Sequence, residues 1–130
     1  MTADNTLKPE KLGEKNISLK RIAQELGLTL LTQPGDFDNL LPSAGYTSDL
    51  LSCVMANAAH QGVWITLQAH TNIVAVAALL DLSAVIITED AMPEPATIHK
   101  ANEEGVVLFS TARPSFYIAG KLWEMGLRAE

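Results

Sequence analysis

Residues 44–80 read AGYTSDLLSCVMANAAHQGVWITLQAHTNIVAVAALL, and the way apolar patterns alternate along them decides the fold. Ala44 to Thr47 is a short strand pattern. From Asp49 to about Ala59, Leu50, Leu51, Val54, Met55 and Ala58 recur at helical spacing, which predicts a helix with those side chains inward. Gln61-Gly62 breaks it. Val63 to Leu67 is short, apolar and β-branched, the composition of a strand covered on both faces. Asn72 to Leu80 then reads NIVAVAALL, apolar around its whole circumference. Such a helix must be covered on more than one side, by another helix or by a second subunit.

Both strands in this stretch end in hydroxyl or amide residues that open the following helix. Strands joined through helices are parallel neighbours, so their carboxyl ends share one edge of a sheet. Thr47 and Ser48, then Thr66, Gln68, Thr71 and Asn72, are therefore expected to collect along that edge.

Toward the carboxyl terminus the alternation continues. Ala84 to Thr88 reads as a strand, Glu89 to Pro95 as an acidic, proline-marked turn, and about Ala96 to Glu104 as a helix stopped by Gly105. Val106 to Ser110 is the last strand, and Pro114, at an N1-like position, opens a final helix to about Gly126. Toward the amino terminus, Leu28 to Gln33 is a strand pattern. Before it, Ser18 caps a short helix that places Leu19, Ile22, Ala23 and Leu26 on one face and ends at Gly27. Met1 to Asn16 is polar, contains Pro9 and Gly13, and is expected to be a flexible leader to a single domain over residues 17–130. The segment SLKRIAQELGL looks like the first helix of a helix-turn-helix. A recognition helix should follow it, and the strand pattern Thr29 to Gln33 with the turn Pro34-Gly35-Asp36 stands there instead. The expected fold is α/β, a small, mainly parallel sheet flanked by helices.

Composition narrows the function classes. The 130 residues suffice for one core without metal or disulfide support. The net charge is −6, and Lys8, Lys11, Lys15, Lys20 and Arg21 supply five of the nine cations, which leaves the body of the domain acidic. Phosphate neutralisation needs clustered cations, so no nucleic-acid partner is expected. The single cysteine, Cys53, excludes an internal disulfide and a cysteine-rich zinc site, and suits a reducing cytoplasm. The amino terminus has no apolar core, so no signal peptide is expected. The longest apolar run, Ile73 to Leu80, is too short to span a bilayer, and no membrane partner is expected.

In open parallel sheets, ligands bind beyond the carboxyl ends of the strands, where helix amino ends aim N–H groups outward. Those corners here are Thr47-Ser48-Asp49, Thr66 to Asn72, Thr88-Glu89-Asp90 and Ser110 to Arg113. Helix capping alone explains hydroxyls at such places, but it does not explain His70 or Arg113. Arg113 is the cation of these corners and the residue suited to a phosphate or carboxylate, unless it pairs with Glu89 or Asp90. His70 can hydrogen-bond as a neutral ring or carry a proton. The ligand-binding set is therefore Thr47, Ser48, Thr66, Gln68, His70, Thr71, Asn72, Thr88 and Arg113. His60 and His99 are scattered, so no metal site is expected. Cys53 has no adjacent base or cation and reads as a structural thiol. Trp64, Phe116, Tyr117 and Trp123 read as core or interface residues. There is neither a GxGxxG nor a GxxxxGK[ST] sequence, and no cofactor is expected beyond a nucleotide or phosphate-type ligand.

The run Gly45-Tyr46-Thr47-Ser48-Asp49-Leu50-Leu51-Ser52, with Val54-Met55-Ala56-Asn57-Ala58 and then Trp64-Ile65-Thr66-Leu67-Gln68, resembles the small stand-alone DRTGG-domain proteins over about Ser18 to Leu127. These are similar to the N-terminal domain of HPr kinase/phosphorylase without its catalytic domain. Like modules accompany CBS domains in regulated pyrophosphatases and phosphate acetyltransferases. Of the pattern's own letters, His70-Thr71 stands where Asp-Arg would precede the apolar helix, and Thr88-Glu89-Asp90 where Thr-Gly-Gly would follow the next strand. The resemblance implies an α/β domain that often dimerises and serves regulation, sometimes encoded near iron-only hydrogenases. The function expected is thus a cytoplasmic, non-catalytic, homodimeric ligand-sensing module. One alternative is a protein partner of a redox, hydrogenase-type enzyme. Another is an enzyme using His70 or Cys53.

Overall fold

A computed structural model of the chain describes residues 17–35 and 37–129; the expected leader, residues 1–16, lies outside the described residues. In chain order the elements are α1 (Leu19–Leu26), β1 (Thr29–Leu30), β2 (Gly45–Thr47), α2 (Leu51–Asn57), β3 (Val63–Thr66), α3 (Asn72–Leu79), β4 (Ala84–Ile87), α4 (Pro95–Glu104), β5 (Leu108–Ser110) and α5 (Ser115–Glu124). The strands form one sheet in the order β1-β5-β4-β3-β2. From β2 to β5 every pairing is parallel, and β1 adds to β5 antiparallel, Thr29 opposite Ser110. The sheet is mainly parallel and flanked by helices, as the strand and helix patterns imply.

Alternate residues of the inner strands point to opposite faces. Val63, Ile65, Ala84, Ile86, Val107 and Phe109 face α1 and α5, packing with Leu19, Ile22, Ile118, Leu122 and Leu127. Trp64, Val85, Ile87, Val106 and Leu108 face the other way, against Val54 of α2, Ile73, Val74, Val76 and Ala77 of α3, and Ala101 of α4. The three consecutive crossovers α2, α3 and α4 therefore share one face, while α1 and α5, with Phe37 edge-on to Phe109, cover the other. This arrangement explains the apolar circumference of α3. The helix lies on the sheet with α2 and α4 beside it, which leaves Ala75 and Leu79 to solvent.

Local signals act as expected at α1. Ser18 accepts a hydrogen bond from the Arg21 amide at 3.0 Å, and Gly27 closes the helix at φ +62°. The chain then enters β1, not a second helix. Three details depart from the sequence reading. The first strand is two residues long, because Leu31 onward leaves the ladder after its amide bonds to the Leu108 carbonyl. Helix α2 starts at Leu51, since Ser48 Oγ takes the Leu50 amide in a tight turn. Its inner stripe is then Leu51, Val54 and Ala58, while Leu50 and Met55, expected inward, are 60% and 49% exposed. Pro114 sits at the N-cap of α5 in extended conformation, one place before the expected N1 position.

The two apolar residues Ile86 and Leu79 give a direct test of this layering. Ile86 is fully buried at the centre of β4, and Ile86→Ala is expected to cost about 3 kcal/mol in denaturant unfolding. Leu79, on the helix that looks entirely apolar, is 64% exposed, and Leu79→Ala is expected to change stability by less than about 0.5 kcal/mol.

Candidate functional site

The four hydroxyl-bearing corners do share one edge of the sheet, since Thr47, Thr66, Ile87 and Ser110 end adjacent parallel strands. What each side chain does there is set by its nearest partner. At the corner of β2 and β3, Asp49 is the hub. Its Oδ1 accepts the Thr66 hydroxyl at 2.8 Å and the Leu67 amide at 2.9 Å. The Gln68 amide donates to Thr66 Oγ1, and Gln68 Nε2 donates to the Asp49 carbonyl. The buried Trp64 indole donates to the Ser48 carbonyl at 2.8 Å, which pins the same turn from below. Thr66, Gln68 and Ser48 are thus engaged in holding Asp49 and the start of α2. A carboxylate of the chain itself receives the donors that an incoming anion would seek. Thr47 lies apart from them, lining an apolar cavity of about 230 Å³ with Tyr46, Leu122, Trp123 and Leu127.

At the next corner His70 fills the role expected of Thr71. The Asn72 amide donates to His70 Nδ1 at 3.1 Å, and the Ile73 amide to the His70 carbonyl. Because Nδ1 accepts, the neutral ring carries its proton on Nε2. The Thr71 hydroxyl makes no capping bond and instead pairs with the Thr97 hydroxyl of α4 at 2.8 Å.

Adjacent parallel strands whose following helices leave on opposite faces leave a crevice at their carboxyl ends. Here those strands are β4 and β5, followed by α4 on one face and α5 on the other. The chain fills this crevice itself. Glu89 and Asp90 amides donate to the Arg113 and Thr111 carbonyls at 2.9 and 3.0 Å, and the Thr111 amide donates to the Ile87 carbonyl. The buried Thr88 hydroxyl pairs with Ser115 Oγ at 2.6 Å, and the Ser115 amide donates to Glu89 Oε2 at 3.4 Å. The fold-back requires left-handed backbone at Glu89 and Asp90, both at φ +61°. These are the two places where the resembling pattern has glycine, which adopts that conformation without a Cβ clash. Arg113 pairs with neither acid. Its guanidinium lies over the Tyr117 ring at 4.3 Å, on the α5 face of the sheet.

The expected set is therefore divided by the sheet. Arg113 stands on one face, while His70 and Thr71 stand on the other, where α3 and α4 begin. Between those two helix ends is a cavity of about 370 Å³ lined by Ala69, His70, Thr71, Met92, Glu94 and Thr97. Sequence reasoning missed Met92, Glu94 and Thr97. The signal that could have found them is Glu94-Pro95, which opens α4 beside the first turn of α3 with no side-chain cap of its own. Among the described residues no group of three His, Cys, Asp or Glu side chains is placed to hold a metal ion, and no helix is long and apolar enough to cross a membrane.

A comparison with solved structures finds a similar fold in the CBS and DRTGG domains of the regulatory region of Clostridium perfringens pyrophosphatase, determined in complex with its activator, diadenosine tetraphosphate. The TM-score is 0.70 at 16% sequence identity, over 95% of this chain and 53% of that one. This chain thus spans about half the length of the protein it resembles, and the likeness is one of fold, in line with a DRTGG-like α/β domain. No protein-family model matches the chain, and no curated protein matches it.

Two stability measurements check the geometry of the edge. Asp49→Ala leaves the buried Thr66 hydroxyl and the Leu67 amide without their acceptor, and is expected to cost about 2 kcal/mol in chemical denaturation. Asp90→Gly exchanges about 1–2 kcal/mol of left-handed strain for about 0.5–1 kcal/mol of added chain entropy, and is expected to raise stability by about 0.5 kcal/mol.

Proposed function

We propose that this chain is a non-catalytic regulatory module that works as a homodimer in the cytoplasm and senses a nucleotide. It takes the base in the cavity between the amino ends of α3 and α4. The observation that carries the reading is that cavity, about 370 Å³ at the carboxyl edge of a parallel sheet, within the size range of small-molecule pockets. Its walls offer what a heteroaromatic base requires: Met92 as an apolar, polarisable surface, the His70 ring with its proton on Nε2, the Thr71 and Thr97 hydroxyls, and the Glu94 carboxylate as acceptor for an exocyclic amine.

The charge of the cavity favours a base over a phosphate here. Glu94 is its charged wall. The first-turn amides of α3 are already held, Asn72 by His70 Nδ1 and Ile73 and Val74 by the His70 and Thr71 carbonyls. A phosphate tail would project toward solvent. The fold shared with a pyrophosphatase regulatory region, itself solved with a nucleotide activator, supports this reading.

Isothermal titration calorimetry with adenosine, AMP, ATP and inorganic phosphate tests the proposal. Base-containing ligands are expected to bind and phosphate alone is not. Glu94→Gln and Thr97→Val should each weaken binding about tenfold, near 1.4 kcal/mol, while Arg113→Ala leaves it unchanged. Heat from none of the nucleosides or nucleotides, or equal binding in Glu94→Gln and Thr97→Val, overturns it.

A further inference from the structure

Helix α5 carries large apolar residues on its outward side as well as on its inward one. Ile118 and Leu122 are buried against the sheet, yet Phe116 is 91% exposed and Trp123 is 56% exposed on the opposite side. At 100° per residue, Gly120 falls diametrically opposite the midpoint of Ile118 and Leu122, at the crest of the solvent-facing side, with Phe116 one turn before it and Glu124 one turn after. A Cβ built on Gly120 would meet no heavy atom within 4 Å. Nothing within the described residues therefore requires glycine there, although glycine weakens a helix interior relative to alanine. Its absent side chain leaves a notch of about 270 Å³ bounded by Phe116, Tyr117, Lys121 and Glu124.

We propose that this notch receives Phe116 of a second copy of the chain, so that two α5 helices pair antiparallel about a two-fold axis. The inference rests on the homodimeric part of the function proposed above and names its face. The spacing makes the surface self-complementary. In an antiparallel pair, the register that sets Phe116 opposite Gly120 of the second copy necessarily sets Gly120 opposite that copy's Phe116, which is the condition for an isologous interface. The same register brings position 113 within one residue of position 124 of the other copy. Arg113, its guanidinium held over Tyr117 at 4.3 Å, then meets Glu124, which is 72% exposed and pairs with Lys121 at 3.5 Å. Both ends of the pairing carry this opposite-charge contact, whereas a parallel pairing would set like charges together. Glycine at the crossing lets the two backbones approach, and aromatic side chains flank it, the composition found at interface centres. One helix face of this length buries less than the surface of a standard-size complex, so a weak, concentration-dependent dimer is expected.

Sedimentation velocity over a concentration series tests the proposal. The wild type is expected to self-associate. Gly120→Leu fills the notch from an exposed position that the fold tolerates, and Phe116→Ser removes the knob; each should lower the association constant at least tenfold with an unchanged circular dichroism spectrum. Glu124→Arg should weaken association and Arg113→Glu combined with it should restore it. Dimers of undiminished affinity in both Gly120→Leu and Phe116→Ser overturn the face while leaving the homodimer. A wild type that stays monomeric to several hundred micromolar overturns both. Nucleotide titration of Gly120→Leu reads the ligand half of the functional proposal independently of either result.

Discussion

A sheet whose inner strands are covered on both faces has no place for polar side chains except where the strands end, and the rest of this structure depends on that constraint. Every residue of β3, β4 and β5 is buried. Their side chains are aliphatic or aromatic until the strands end, with Thr66 and Ser110 at the last positions of β3 and β5 and Thr88 just after β4. Hydroxyls at that depth require partners, since an unsatisfied buried polar group costs about 1–3 kcal/mol. Thr66 uses the Asp49 carboxylate and Thr88 uses Ser115. The carboxyl edge is therefore first a place where the fold meets its own hydrogen-bonding needs. The cavity proposed to take a ligand lies apart from these pairings, at the start of α4.

The same reasoning separates two kinds of corner. Between β4 and β5 the chain folds back on itself and accepts left-handed backbone at two acidic residues to do so. Where α3 and α4 begin, the Thr71–Thr97 hydroxyl pair bridges the helices, and space is left beside it. The crevice that fold topology alone would assign to a ligand is thus the closed one. The open one lies a strand away, on the face that carries all three crossovers.

Much of the fold was legible in the sequence because burial on both faces writes itself as uninterrupted apolar runs, Val63 to Ile65 and Ala84 to Ile87 among them. Terminators were legible too, as at Ser18 and Gly27, whose conformations follow from local chemistry. The inward face of α2 was not. Its register depends on a Ser48 turn that delays the helix to Leu51, and that delay moves Leu50 and Met55 outward. At the edge, residue types were legible and pairings were not. That Asp49 reaches Leu67, or that Thr71 reaches Thr97 instead of capping its own helix, is decided by how loops cross in space. Nothing in Glu89-Asp90 as residue types announces positive φ; only the glycines of the resembling pattern hint at it.

The amino-terminal arm is joined differently from everything that follows it. From β2 to β5 each strand pairs with its neighbour in sequence, whereas β1 returns to β5 across almost the whole chain. Leu108 donates its amide to Thr32 Oγ1 over a separation of 76 residues, and Gln33 donates its amide to Asn102 over 69. Contacts so remote in sequence form only after a long loop has closed, so the contiguous βα units assemble early and the arm docks onto a nearly finished sheet. The order runs backward on local opening. Lifting α1 and β1 removes Leu19 and Ile22 from the core cluster they share with Ile86 and Phe109 and leaves the parallel β2 to β5 ladder, so this arm is expected to open as a separate unit where hydrogen exchange begins.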